Sequence, residues 1–360
     1  MGQNENLCRY IDKLPDETDA VIICNQANRK YLTGFISTAG TLFITHDAAY
    51  FIIDGRYYEA ARDSIHFCTV ILEENLNQQL RTLIKRHRVH IVELEVSTLS
   101  LKRALQFQRE LVPAEVVFRK TAETCLQNCR AIKSSTEVKA IRAAQHIAVE
   151  AYKHMLTFAR PGVPELELVA EIGTYAARHG CQRRAFSYIF TSGKKTALPH
   201  GAPPDRTLSY GDIVMLDMSC MVDGYFSDMT RTFCIGKADE EKEAVYRTVY
   251  KAQQKAIQSI SPGVVCSDID AISRRVISKE GYGAYFPHGL GHGIGAETHE
   301  YPRFAPNCDT GLETGHVLSV EPGIYLPERF GVRIEDLIVV TENGCEMLSR
   351  ADSELLIVGN

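Results

Sequence analysis

The segment HGLGHGIG, residues 288–295, carries two histidines four apart with a glycine at every second position. Two imidazoles suit metal or acid–base chemistry, and the glycines imply that another group approaches this backbone closely. Which histidine acts depends on the acids elsewhere in the chain. Asp217 interrupts the apolar run IVMLDM, and Asp228 follows beyond an Asp223-Gly224 pair. If that pair forms the hairpin turn, Asp217 lies opposite Thr230 and Asp228 opposite Ser219, so both carboxylates share one face, one diagonal step apart. Glu335 stands inside VRIEDLIVV, and Glu321 ends the apolar part of LSVEPG.

Like charges on a packed face require protonation, a cationic partner or a metal. A single buried acid is usually a salt-bridged core residue, and Arg333 offers Glu335 such a partner. Four acids within strand-like sequence of one domain, together with a histidine in a glycine-rich segment, point instead to metal. Carboxylates with one imidazole suit Mn, Co or Zn, and four carboxylates exceed what one structural zinc needs, so two ions fit better. Two adjacent ions bridge a water, lower its pKa toward neutrality and polarise a carbonyl, which is the chemistry of amide or ester hydrolysis.

The elements that must position these groups follow from periodicity. DAVIIC, TLFIT, AAYFIID, TVILEE and HIVELE predict strands, and NLNQQLRTLIKRHR and STLSLKRALQFQREL predict helices, giving a first α/β domain over 1–125. Residues 112–134 read as irregular. Ser134 stands three before Glu137 in a capping-box arrangement that predicts a long helix, with Val138, Ile141, Ile147, Ala151 and Met155 along an apolar stripe. PGVPE ends it, and ELELVAEIGTYAARHG predicts the next helix, closed by Gly180. Further on come a hairpin around Asp223-Gly224, helices over 239–260 and 267–279, and strands in HVLSVEPGIYL and VRIEDLIVV. The second domain, 126–360, is therefore α+β, with its acids inside strands.

Bulk composition narrows the partners. The 360 residues are 45% hydrophobic and 24% charged, with 40 Lys and Arg against 45 Asp and Glu, so no basic field is available for nucleic acid. No apolar run approaches the length of a membrane span, and the polar start MGQNENLCRYIDKLPDETD argues against a secretory signal. Eleven cysteines without a CxxC pair, Cys125 and Cys129 suiting one helix face, read as reduced thiols of a cytoplasmic protein.

ALPHG (197–201), MLDMSC with YFSDMTRTF, FPHGLGHGIGAETHE, LSVEPGIY and VRIEDLIVV resemble, in order and spacing, the pita-bread metallopeptidases: Xaa-Pro dipeptidases (prolidases), Xaa-Pro aminopeptidases and the more distant methionine aminopeptidases. The resemblance covers essentially all of 130–355. YLTGF (31–35) and DGRYYEAA (54–61) resemble the creatinase/prolidase type of N-terminal domain, which methionine aminopeptidases generally lack. The resemblance implies a hydrolase of the Xaa-Pro peptide bond with two divalent metal ions, Mn first and Co or Zn as substitutes, acting on proline-containing peptides as a homodimer. It places the metal ligands at Asp217, Asp228, His292, Glu321 and Glu335, with Asp228 and Glu335 bridging. It also chooses His292 over His288, which keeps a mostly structural role. His200 and His299 match histidines that contact substrate and stabilise the tetrahedral intermediate, and Arg303 matches a substrate contact. The implied mechanism is attack of a hydroxide bridging the two metals on the scissile carbonyl, with Glu321 accepting and returning the proton. The glycines would let the His292 backbone lie close to the substrate channel.

Within that family the reading favours a dipeptidase over an aminopeptidase, because Arg303 in HEYPR is placed to pair with a free proline carboxylate. Creatinase shares the fold but lacks this ligand set, and peptidase-like binding modules have lost the acids. Retention of all five ligand positions argues against both.

Overall fold

Alternate residues of one short strand feed different cores: in β1 (Ala20–Ile23), Ala20 and Ile22 pack on one side and Val21 and Ile23 on the other, all buried. A strand covered on both faces reads as an unbroken apolar run, which is why DAVIIC shows no alternation. The computed structural model describes residues 5–184, 188–201, 206–350, 352 and 354–359, and the chain divides into two units, 1–130 and 131–360.

The first unit holds strands β1, β2 (Thr41–Thr45), β3 (Ala49–Ile53), β4 (Thr69–Leu72), β5 (Ile91–Leu94) and β6 (Glu115–Val117). They form one sheet in the order β4-β3-β2-β1-β5-β6, antiparallel at β1–β2 and β2–β3 and parallel elsewhere. Its helices are α1 (Glu5–Ile11), α2 (Gln26–Thr33), α3 (Tyr58–Ser64), α4 (Leu76–His87), α5 (Leu101–Glu110) and α6 (Thr121–Ala131). One sheet face carries α1, α2, α3 and α6, and the other carries α4 and α5. Asn25, Asn75 and Ser100 cap α2, α4 and α5 by accepting backbone N–H bonds, as short polar side chains do at helix starts.

The stretch 112–134, expected to be irregular, contains β6 and α6 instead. The helix has a narrow apolar stripe, Ala122, Leu126 and Cys129, all buried against the first core, in an otherwise polar sequence. The expected boundary, near 120–135 and set after residue 125, lies in α6, and the first unit runs through Arg130.

The second unit opens with α7 (Ser135–Leu156), whose N-cap Ser134 and Glu137 make both halves of the capping box. Its buried face is Ile141, Ala144, Ala148, Ala151 and Met155, while Val138 and Ile147 are only half-buried, so the stripe is rotated toward the alanines. There follow α8 (Glu165–Arg178), β7 (Ile189–Ser192), β8 (Ile213–Met218), β9 (Met221–Val222), β10 (Tyr225–Phe226), β11 (Met229–Ile235), α9 (Glu240–Ile257) and α10 (Cys266–Lys279). The chain closes with β12 (Gly291–Gly293), β13 (Glu300–Phe304), β14 (Val317–Val320), β15 (Gly323–Leu326), β16 (Phe330–Arg333), β17 (Asp336–Thr341), β18 (Gly344–Met347) and β19 (Leu356–Val358).

Two helix-covered sheets build this unit. Helices α7 and α8 pack with the sheet β19-β11-β8-β7, and α9 and α10 with the sheet β13-β12-β14-β17-β18. This is the α+β arrangement called pita-bread. In the β8–β11 hairpin Asp217 lies opposite Thr230, and the same register continues through Val222 opposite Tyr225. Asp223 and Gly224 both have positive φ, 49° and 75°, as a two-residue hairpin turn demands.

Buried His316 adds a pH dependence. Its Nδ1 accepts the Glu313 N–H at 3.0 Å, and burial, reinforced by the nearby Lys133 charge, pushes its imidazole down to about 4. A base depressed in the fold contributes stability above the unfolded histidine pKa that is lost as pH falls toward the folded value. Between pH 7 and pH 5 the protein should lose about 2 kcal/mol through this group. In urea unfolding, His316→Asn should flatten that part of the pH profile, and an unchanged profile would refute the assignment.

Candidate metal centre

The second unit places Asp217, Asp228, His292, Glu321 and Glu335 together on the wall of one cleft of about 430 Å³, with His200, His288, His299 and Arg303 also lining it. The sequence reading put all four acids inside strands, and only Asp217 is inside one. Asp228 lies between β10 and β11, Glu321 between β14 and β15, and Glu335 between β16 and β17. HVLSVEPGIYL and VRIEDLIVV are each two strands that belong to different sheets. Pro322 has no N–H to continue a ladder, and the Glu335 N–H leaves its own strand to bond the Thr230 carbonyl at 3.1 Å. Each break frees the backbone to aim a carboxylate.

His292 and His288 are separated by their hydrogen bonds. His292 Nδ1 faces the Gly293 carbonyl at 3.1 Å, and a carbonyl only accepts, so Nδ1 carries the hydrogen and Nε2 points into the site. There Nε2 is 3.2 Å from Glu321 Oε1 and 3.9 Å from Asp228 Oδ2. His288 has no nitrogen to spare: Nδ1 faces the Gly289 carbonyl at 2.8 Å and Nε2 faces the Tyr325 hydroxyl at 2.9 Å.

The glycines have a further cause besides the one expected. A Cβ on Gly291 would lie 2.0 Å from the Ser319 carbonyl oxygen, on Gly293 2.7 Å from that of Tyr301, and on Gly295 2.7 Å from the Glu300 carboxylate. Close packing of β12 between β13 and β14 excludes a Cβ at Gly291 and Gly293, while Gly289 and Gly291 also line the cleft, which is the approach expected.

Arg333 also departs from expectation. It pairs with Asp217, Nη2 to Oδ2 at 2.6 Å, and not with Glu335. It further donates to the Thr230 hydroxyl, the Pro199 carbonyl and the Tyr325 hydroxyl, each at 3.0 Å. Glu335 Oε2 instead accepts from the Thr230 hydroxyl at 2.8 Å. Ser319 links the histidine to its neighbouring acid, accepting the His292 N–H and donating to Glu321 Oε1, both at 3.0 Å. The sequence reading missed these roles of Ser319 and Arg333, although each stands two residues before a ligand position, where strand alternation puts both on one face.

Asp217 Oδ1, Asp228 Oδ1 and Glu335 Oε1 are buried with no hydrogen-bond partner among the described residues. Ligand atoms of Asp228, His292 and Glu335 all lie within 4.8 Å of one another. Two unit charges at such a distance repel by roughly 3 to 4 kcal/mol at an effective dielectric near 20. Burial and the neighbouring acids push Asp228 and Glu335 well above the usual carboxyl range, and burial raises Asp217 despite Arg333. Burial opposes ionisation of Glu321 too, but the hydrogen bond and charge of a protonated His292, with the charge of Arg333, together outweigh this and bring it down to about 2. Buried, partnerless carboxylate oxygens beside an Nε2 aimed at them are a donor set suited to divalent cations.

His299 lies tilted against His292 with ring centroids 4.2 Å apart, and burial with that neighbour pushes its imidazole down to about 4, so it is neutral at neutral pH. His200 and Arg303 are exposed at the cleft, His200 on the loop after the 3-10 turn Gly193–Ala197 and Arg303 on β13 opposite His292.

Residues 139–342 match the model of metallopeptidase family M24, and residues 15–132 match that of the creatinase/prolidase N-terminal domain. A protein of Pyrococcus horikoshii named Xaa-Pro dipeptidase is 33% identical over 98% of each chain. Among solved structures, an Xaa-Pro dipeptidase from Bacillus anthracis superposes with a TM-score of 0.92 at 34% identity over 99% of each chain. An X-Pro aminopeptidase from Thermotoga maritima gives 0.87 at 29% identity, covering 95% of this chain and 98% of that one.

Proposed function

Because the chain belongs to metallopeptidase family M24, we propose that it hydrolyses the Xaa-Pro peptide bond and acts as an Xaa-Pro dipeptidase. The observation that carries this reading is the junction, in one cleft, of partnerless buried carboxylates with His292, His299 and the exposed Arg303. Asp217, Asp228, His292, Glu321 and Glu335 would hold two divalent ions, with manganese the first candidate and cobalt or zinc its substitutes. Such ions supply an acidified water and an electrophile for the scissile carbonyl.

The chain's own groups do the rest. Glu321 Oε1 accepts from the Ser319 hydroxyl, so Oε2 is the atom that takes the proton of the attacking water. A prolyl nitrogen has no hydrogen in the peptide, so it leaves as an amine only if a proton is delivered, and Glu321 returns the one it took. His299 and His200, at the cleft wall, donate hydrogen bonds to the oxygen that gains charge. Arg333 holds Asp217 from behind and, through the Pro199 carbonyl, the segment that carries His200.

Arg303 supports a dipeptide substrate, since an exposed guanidinium on the cleft wall suits the carboxylate of a C-terminal proline. The similarity to an X-Pro aminopeptidase structure supports the second reading, in which the peptide continues past proline. Assay of one Xaa-Pro dipeptide against an Xaa-Pro-Yaa tripeptide with Mn or Co decides between them. We expect the dipeptide to be cleaved, and Arg303→Gln to raise its KM roughly tenfold with little effect on the tripeptide. Cleavage of the tripeptide alone would replace dipeptidase by aminopeptidase.

A homodimer in the cytoplasm extends the proposal, as does the division into an N-terminal domain ending near residue 130 and a catalytic domain after it. Eleven free cysteines are in keeping with a reducing compartment. Among the described residues no helix is long and apolar enough to cross a membrane. Light scattering of the metal-loaded protein tests the dimer.

A further inference from the structure

A buried ion pair outside the ligand set stands directly behind the cleft histidines. Lys133 Nζ lies 3.2 Å from Glu300 Oε2, and the two side chains are 1% and 5% exposed. Glu300 follows His299 in the chain and lies opposite Gly293, the neighbour of His292, where the β12–β13 register shifts. Its other oxygen, Oε1, accepts the Glu297 N–H at 3.0 Å. The carboxylate is folded inward under its own loop, and the missing side chain of Gly295 leaves the space it occupies. The loop is fastened on its other side by the Phe226 N–H, which bonds the Gly295 carbonyl at 2.8 Å.

Lys133 is itself firmly set. Its N–H bonds the Gly315 carbonyl at 2.9 Å, and the next residue, Ser134, is the N-cap of α7. Glu137 completes that capping box and accepts the Tyr225 hydroxyl at 2.6 Å. The lysine is therefore a fixed post, and Glu300 is a short tether between it and the loop that bears His299.

Stability alone gives little reason for such a pair. Desolvating two charges cancels much of their attraction, and apolar residues of similar volume often hold a core as well. What apolar contacts lack is direction: an ammonium against one carboxylate oxygen, with the other oxygen on a backbone N–H, fixes both the rotation and the depth of the loop.

We propose that Lys133 and Glu300 are positioning residues, which through the β12–β13 loop hold the His299 imidazole at the height and orientation needed to meet the substrate in the cleft. The catalytic part of this inference rests on the Xaa-Pro reading above. The geometric part does not.

The test compares the metal-loaded wild type with Lys133→Met/Glu300→Gln, which removes both charges but keeps an acceptor for the Glu297 N–H, and with Lys133→Gln, which replaces the cation facing Glu300 by a neutral hydrogen-bond donor. Histidine-labelled protein reports the His299 ring resonances by NMR, elemental analysis reports bound metal, and kinetics on an Xaa-Pro dipeptide separate kcat from KM. Positioning predicts a folded double variant with unchanged metal content, displaced His299 resonances and a kcat about tenfold lower, with KM changed far less. If the double variant does not fold, Lys133→Gln must show the same displacement and the same direction in kcat. Unmoved His299 resonances and wild-type kcat in a folded variant would overturn the proposal and leave the pair merely structural. Displaced resonances in a series whose wild type does not cleave Xaa-Pro substrates would uphold the tether and refute the Xaa-Pro reading.

Discussion

Asp228→Ala and Glu335→Ala should each abolish hydrolysis, by roughly a thousandfold or more, while leaving the protein folded. Both carboxylates have a buried oxygen without a hydrogen-bond partner among the described residues, and their oxygens lie within 4.8 Å of a His292 ring nitrogen. Removing either would delete a donor from the proposed metal centre, whose activation of water and polarisation of the carbonyl would contribute several kcal/mol to lowering the barrier. Elemental analysis should show less metal per chain, and excess Mn should not restore the rate. Wild-type turnover of either variant with added Mn would sink the two-metal assignment.

The same crowding makes a prediction about stability with the opposite sign. Burial and neighbouring acids raise Asp228 well above the ordinary carboxyl range in the fold. An acid raised in the folded state costs stability progressively as pH rises from the unfolded carboxyl value to the folded one, and the cost is complete above the folded value. In protein stripped by a chelator, Asp228→Asn should therefore be more stable than wild type near pH 7, and this advantage should shrink to nothing as pH falls to the ordinary carboxyl range. Urea unfolding of both proteins across that range measures it, and the difference cancels the His316 effect common to both. Added metal should reverse the order, since only the wild type then gains binding energy from its full donor set.

Much of this centre is legible in the amino-acid sequence, and the reason is local. A carboxylate in an apolar run is conspicuous because burial is costly, and the Asp223-Gly224 turn fixes the register that puts Asp217 opposite Thr230. What periodicity cannot register is a change of sheet. LSVEPG and VRIEDLIVV read as single strands because both sides of each break are apolar and buried, so Glu321 and Glu335 look like strand residues when they are the joints. Nearness along the chain pairs Arg333 with the acid two residues away, but its long side chain reaches Asp217 on β8, a choice made by tertiary packing. The narrow stripe of α6 is too short to stand out among polar neighbours, and Lys133 and Glu300 are far apart in the chain and ordinary as residue types. The glycines of HGLGHGIG signal close approach correctly, yet what approaches is the chain's own backbone and the Glu300 carboxylate.

Asp336→Ala should be among the most destabilising single changes in the second unit, by about 3 to 5 kcal/mol, because it strands a buried guanidinium. Asp336 is fully buried on β17, next to Glu335, and accepts Arg231 Nη2 at 2.6 Å, the Ser349 hydroxyl at 2.7 Å and Gln253 Nε2 at 3.1 Å. With the acid gone, Arg231 keeps only its bonds from Nη1 to the carbonyls of Thr230 and Glu335, at 2.9 and 2.5 Å. Those two carbonyls flank the crossing of β11 and β17 from which Glu335 reaches the centre. Gln253 on α9 extends the support to the carbonyls of Val320 and Ile334, the residues before Glu321 and Glu335. For a unit of this size the loss corresponds to about 10 °C in Tm, readable by calorimetry. The double variant Arg231→Met/Asp336→Leu separates two roles of the network. An apolar pair of similar volume should recover most of the stability, because neither charge is then left uncompensated. It should not recover metal binding, because nothing then holds the Glu335 carbonyl, and groups behind a ligand typically cost about 10- to 100-fold in affinity when lost. Recovery of both stability and metal affinity would mean that the network serves folding alone and that Glu335 is aimed by its strand break without help.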